Sequence, residues 1–425
     1  MRRFGVARRI YYGWWILAAS VVAMTVVSGL AAWSLGLYVH PLEEEFGWTR
    51  AEVSLGFSAG ILVSGLAGPA IGRLVDRFGP RSSVIVGSIL AALTFQLLAA
   101  TSTLWQWYLF SAINAAARQM MFFIPFQALT SRWFDRRRGA ALSLLGIGFS
   151  LGGFLVLPLL ALVIEATDWR GGFVFSGVIS AALVLPLAVF VLRDDPTPEE
   201  TEAFGEGRDA GGASRPVTAS VTLGEALRMP IFWVLAIGLM LFFYGMIGWT
   251  VHLVPFFESR DISRETAALL VSLASGAGIV SRLALGTVVD RFKRFERAAV
   301  GLIGLLALGM GVLLLEGGMP GVLVFLALWV IGTTAGSMIE ALTLTRAFGM
   351  AHFATILGAI VVIETMGEIL SPSISGLIFD TTGSYDWALV MYVLTFSASA
   401  AMFAIASRMK YPVLQTSAGS PEASG

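Results

Sequence analysis

Five charged side chains stand inside long apolar runs of this sequence: Arg118, Arg282, Glu340, Glu364 and Glu368. A charge at the centre of a bilayer costs about 2.5–3.5 kcal/mol on insertion scales, so such residues pair, face water or do chemistry. Asn114, Arg118 and Phe122 fall at i, i+4 and i+8, with Pro125 seven positions after Arg118, which places them on one helix face. That face offers a cation to a ligand, or alternatively to a buried acid. Glu364, Glu368, Ser371 and Ser375 fall at i, i+4, i+7 and i+11 and form a second polar stripe. A carboxyl group in a low dielectric can take up a proton near neutrality. Glu364 and Glu368 are therefore candidates for proton coupling, with packing or an ion pair to Arg282 as the plainer role. Tyr244, Gly248 and His252 share a third face, where His252 is either a proton-sensitive cavity residue or a buried, hydrogen-bonded one. Trp33 and Tyr38 could wall a ligand site, although aromatic belts at membrane interfaces have the same composition.

Other chemistries lack their residues. There is no cysteine, hence no disulfide, thiolate metal site or iron–sulfur cluster. His40, His252 and His352 are too far apart for a metal-ligand spacing. Neither lysine, Lys293 or Lys410, follows a glycine-rich loop, so a phosphate-binding loop is absent. A formal net charge of zero argues against a nucleic-acid partner. No enzyme activity, metal or cofactor is expected.

The elements that must position these residues are set by composition. Hydrophobic residues make up 56% of the chain and charged residues 13%, about half the proportion a hydrated surface requires. Mean hydropathy is +0.80. Apolar runs fall near 11–40, 51–72, 82–102, 105–131, 139–165, 170–193, 229–256, 265–288, 298–316, 319–345, 352–379 and 385–408. They match the roughly 20 residues of a spanning helix and lack the alternation of strands. The first is too long for a secretory signal. Arginines crowd the loops that share a side with both termini, such as Arg73, Arg77 and Arg81, whereas the other side holds Arg50, Arg170, Arg260 and Arg264. Cytoplasmic termini follow from that bias.

The sequence repeats itself. GRLVDRFG from Gly72 returns as GTVVDRFK from Gly286, 214 positions later. The same offset joins Pro41 to Pro255, Gly153 to Gly367, Pro158 to Pro372, and SRWF at Ser131 to TRAF at Thr345. Glu340 lies one position from the repeat counterpart of Gln127, near a cytoplasmic helix end, and reads as structural. The expected organisation is an N-terminal half over 1–193, a flexible polar linker over 194–225, a C-terminal half over 226–410 and a disordered tail over 411–425. The fold class is all-α and polytopic: twelve transmembrane helices in two pseudo-symmetric six-helix bundles, an architecture of transporters.

At G72-R-L-V-D-R-F-G-P-R81 the chain resembles the major facilitator superfamily, and the echo at Asp290 and Arg291 strengthens the likeness. In that loop Asp76 can cap a neighbouring helix end while Arg77 and Arg81 bind carbonyls or acids, forming a conformational latch with Asp290 and Arg291. A loop that only sets topology is the alternative. Within the superfamily the chain is similar to the monocarboxylate transporter family, in the segment Trp133, Phe134, Asp135, Arg136, Arg137, Arg138, Ala140, Gly148 and Gly152, and in IEAL from Ile339.

The resemblance implies that Arg282 matches the family's helix 8 arginine, which receives a substrate carboxylate. A guanidinium suits that task because it stays charged and offers a planar fork. Arg118 has no counterpart in the usual pattern; helix 4 lines the central cavity in the superfamily, which turns its stripe toward substrate. The family's helix 1 lysine aligns near Trp33, and the acid one turn before the helix 8 arginine is Gly278 here. Coupling through that lysine and acid is not available. The expected function is secondary active transport of a small organic anion, a mono- or dicarboxylate, by alternating access in the inner membrane, through proton symport or anion exchange, with a monomer sufficing. Export of a drug or metabolite is the alternative of the same fold. A non-transporting receptor or scaffold is the alternative of another class.

Overall fold

The computed structural model describes residues 11–30, 34–204, 221–289, 295–316, 318–409 and 411. Trp33, Asp290, Arg291, linker residues 205–220 and all of the tail except Tyr411 lie outside them. In lipid every backbone group needs an internal partner, and the described residues meet that demand with helices alone.

Twelve spans result. α1 comprises Gly13–Ser28 and Leu35–Phe46; α2 is Arg50–Phe78 and α3 is Pro80–Ala99. α4 comprises Leu104–Gln119 and Phe123–Trp133. α5 comprises Arg138–Leu151, the π-turn Gly152–Val156 and Leu157–Ala166. α6 begins at Trp169–Ile179 and continues through the π-turns Ser180–Val184 and Leu187–Val191. In the second half, α7 is Pro230–Glu258, α8 Arg264–Val289 and α9 Phe295–Leu315. α10 comprises Met319–Thr333 and Gly336–Phe348, α11 is Phe353–Thr382 and α12 is Asp386–Ala406. Ten of these are long and apolar enough to cross a membrane, and Gly13–Ser28 is a shorter apolar helix.

Local chemistry sets the helix starts. Thr49 and Glu52 form a capping box before α2, and Thr103 and Gln106 do the same before α4. Asp168 accepts from the Gly171 amide at 2.6 Å to open α6. Pro80 and Pro230 sit in the first turns of α3 and α7, where a missing N–H costs nothing. The turn between α2 and α3 requires Gly79, whose φ is +87°. A Cβ there would also strike the carboxyl of Asp194, which accepts from the Arg81 amide at 2.8 Å.

The outer surface carries large exposed apolar side chains such as Phe154, Phe190 and Leu315. In water this would be an aggregation hazard; against lipid tails it is neutral. Between the two bundles, α2 packs on α11 and α5 on α8. Small residues permit the approach. A Cβ at Gly68 would meet the Gly358 carbonyl at 2.5 Å, and one at Gly72 would strike the backbone of Ala354. Gly286 of α8 lies against Ser143 and Ala140 of α5, and the Ser143 hydroxyl donates to the Arg282 carbonyl. These contacts gather toward the face that carries the termini, here called the terminal face, and join the halves there.

Candidate functional site

Two helices break beside the centre of the molecule, at positions related by the internal repeat. The first part of α4 ends at Gln119, and the first part of α10 ends at Thr333, 214 positions later. The apolar run over 105–131 is thus not one continuous helix. Met120–Phe122 are non-helical, with Phe122 at φ −115° and ψ −137°. The Met120 carbonyl freed by the break accepts from the Ser83 hydroxyl at 2.8 Å. Irregular backbone is tolerated at membrane depth where it is buried in protein or lines a cavity. Here it does both.

A cavity of about 570 Å³ lies against these breaks, between the halves. Its floor includes Gln127 and Glu340, and it reaches Tyr38, Phe57 and Val251 toward the face opposite the termini. Asn114, Arg118 and Phe122 line it from the first half, and Arg282, Glu364 and Glu368 from the second. The break does not remove Phe122 from the stripe, because the chain resumes its course after three residues.

Arg118 is held by a relay. Its Nε donates to Asn114 Oδ1 at 2.7 Å, and Asn114 Nδ2 donates to Thr94 Oγ1 at 3.0 Å. It also occupies the last turn before the break, where the helix dipole favours a cation. Arg282 is anchored through its backbone by Ser143, beside the Ser281–Thr334 hydroxyl pair at 3.1 Å. Among the described residues no carboxylate lies within 4 Å of either guanidinium. The ion pair of Arg282 with Glu364 or Glu368, and the pairing of Arg118 with an acid, are not formed.

The acids form their own group. Glu340, Glu364 and Glu368 line the same cavity from α10 and α11. Gln127 Nε2 donates to Glu340 Oε2 at 2.8 Å, a bond between the halves with both partners buried. Glu364 is 5% exposed, and its Oε1 has no hydrogen-bond partner among the described residues.

Below the floor, Asp76 at the end of α2 binds the first turn of α11. Its Oδ1 accepts from the Ala354 amide at 3.1 Å, and its Oδ2 accepts from the Thr355 amide at 2.7 Å and the Thr355 hydroxyl at 2.6 Å. A helix start has unsatisfied N–H groups and a positive dipole end, so a carboxylate from the opposite half satisfies both.

A profile of the Major Facilitator Superfamily matches residues 21–372. The chain belongs to the major facilitator superfamily. Human monocarboxylate transporter 11 is 28% identical over 395 residues, covering 89% of this chain and 80% of that one. Monocarboxylate transporter 12 of Rattus norvegicus is 25% identical over 430 residues, covering 94% and 87%. Among solved structures, the fold is similar to that of FucP in the outward conformation, with a TM-score of 0.69, 13% identity, and coverage of 93% of this chain and all of that one. The proton:xylose symporter XylE gives a TM-score of 0.68 at 15% identity, covering 93% and 94%. This superfamily member is accordingly a membrane transporter and not an enzyme.

Several residues singled out by pattern sit elsewhere in this superfamily fold. His252 does not line the cavity: its Nε2 lies 2.9 Å from the Pro372 carbonyl and its Nδ1 3.2 Å from the Tyr385 hydroxyl, tying α7 to α11 and to the residue before α12. Tyr244 also turns away, donating to the Met391 thioether at 3.3 Å. Of the latch arginines, Arg81 donates to the carbonyls of Ala188 at 3.1 Å and Val189 at 2.7 Å, within its own half. Arg77 is exposed, 5.1 Å from the Phe78 ring. The bond between halves in that loop comes from Asp76, while Asp290 and Arg291, like Trp33, lie outside the described residues. Tyr411, placed in a disordered tail by composition, is buried against Arg346. Gln127, Glu340 and Thr333 are cavity residues that pattern reading missed or assigned to structure. Gly332 and Gly336 flank the break in α10, with no matching glycine pair at the break in α4.

Proposed function

We propose that this transporter carries a small organic anion, a mono- or dicarboxylate, by alternating access between its two halves, and that Arg282 holds a substrate carboxylate. The observation that carries the reading is a guanidinium facing the cavity with no counter-ion among the described residues. Burying an unpaired charge is costly, so an arginine kept this way calls for an anion from outside the chain. The relatives named monocarboxylate transporters support the same class of substrate. Arg118, Asn114 and Phe122 complete the binding wall from the other half. A cationic drug would meet the wrong charge in that wall, which disfavours the exporter reading.

In this reading the protein sits in the inner membrane with its terminal face toward the cytoplasm, a side supported by the basic loops. Contacts packed on that side, with the cavity reaching the other way, then correspond to an outward-facing state. Glu364 and Glu368, with Glu340 beside them, are the groups available for proton coupling, and anion exchange is the competing mode. The halves over 1–193 and 226–410 are read as the moving bodies and 194–225 as their linker, with a single chain as the functional unit. Counterflow of labelled lactate, pyruvate, oxalate and larger anions in proteoliposomes, with and without a pH gradient, tests the proposal. Uptake of an anion that competes with its unlabelled form supports it. Failure of every anion alongside uptake of neutral or cationic solutes would refute it.

A further inference from the structure

The two halves each bring one arginine to a common cavity, and we infer that the substrate is a small dianion, with one anionic group held by Arg282 and the second by Arg118. The inference rests on the proposed anion transport and narrows it. Arg118 has spent only its Nε, on Asn114, at 2.7 Å. Its two terminal nitrogens have no hydrogen-bond partner among the described residues, and neither does any side-chain nitrogen of Arg282. A guanidinium has five donors and stays protonated in proteins, so each arginine presents a fixed charge and a fork suited to two oxygens.

The internal chemistry does not answer these charges. Glu340, Glu364 and Glu368 lie on α10 and α11, and none comes within 4 Å of either guanidinium. Glu340 is instead occupied by Gln127. A monoanion would satisfy one arginine and leave the other facing the cavity without a partner. A dianion satisfies both, and it does so from opposite halves. The relay from Thr94 through Asn114 fixes the Arg118 fork before the ligand arrives, which lowers the ordering cost of binding.

Matched acids test this directly. Purified wild-type protein is titrated with malonate, succinate and glutarate, and in parallel with propionate, butyrate and valerate, by calorimetry and by competition in counterflow. A charge-assisted second contact predicts that the best diacid binds about tenfold or more tighter than its monoacid partner. In Arg118→Gln that ratio falls toward one, and in Arg118→Lys it is partly kept. Equal binding of diacids and monoacids by the wild type overturns the dianion while leaving anion transport standing. An equal loss of both classes in a folded Arg118→Gln variant overturns it as well. Absence of binding by either class refutes the parent proposal and this one together. Should Arg118→Gln fail to fold, by elution profile and melting temperature, the wild-type ratio alone decides.

Discussion

Asp76 and Thr355 are 279 positions apart and share two hydrogen bonds, at 2.7 and 2.6 Å, that fasten the end of α2 to the start of α11. The carboxylate of one half is the helix cap of the other. Closure at the terminal face therefore breaks or forms with the same bonds that satisfy a helix terminus.

Asp76→Asn is expected to weaken that closure by about 0.5–2 kcal/mol, the usual worth of a cap. Turnover in proteoliposomes should fall several-fold while the dissociation constant of the substrate changes little, because Asp76 biases conformations and does not touch ligand. The chain has no cysteine. Single introduced cysteines on the terminal-face ends of α2 and α11 can therefore report opening by their labelling rate. Equal loss of turnover and affinity would count against this role.

Gly68→Val makes a steric version of the same experiment. Its side chain would enter the Gly358 backbone, so α2 and α11 cannot keep their present separation. The variant should label faster than wild type at terminal-face cysteines, with lowered uptake. Unchanged labelling would mean that the two helices separate at no cost.

Arg282→Lys retains the charge and loses the fork. Substrate affinity should drop by about tenfold or more, the worth of a charge-assisted hydrogen bond, with little change in melting temperature. A large fall in melting temperature at unchanged affinity would assign Arg282 to packing through α5 and α8.

Glu45, at the end of α1 away from the terminal face, accepts hydrogen bonds from Trp169 Nε1 at 2.5 Å and from Arg170 at 2.7 Å, which hold its carboxyl below the ordinary value of 4.5. A depressed acid stabilises the fold fully above its unfolded value, and that contribution disappears as pH falls through the lower folded value. Between neutrality and about pH 5 the melting temperature should be insensitive to this group. Below 4.5 the wild type should lose stability more steeply than Glu45→Gln. The difference should be small, since the pair is partly exposed and screened. Parallel slopes for the two proteins would remove Glu45 from the acid response.

The sequence by itself determined the class, the twelve spans, the duplication and which charges lie at membrane depth. Those properties are local or periodic: apolar run length, loop charge and a 214-residue echo need no knowledge of neighbours. It also marked Asp76 as a cap, since carboxylates and helix starts attract wherever they meet. Only the tertiary structure decided which charges meet. Arg282 and Glu364 were eligible partners by composition, yet among the described residues neither Arg282 nor Arg118 has an acid within 4 Å. His252 shares a helical face with Gly248, but its imidazole is engaged by the Pro372 carbonyl and the Tyr385 hydroxyl, outside the cavity. The paired breaks in α4 and α10 were equally hidden, because hydropathy responds to side-chain composition and not to the backbone turn that aims the side chains.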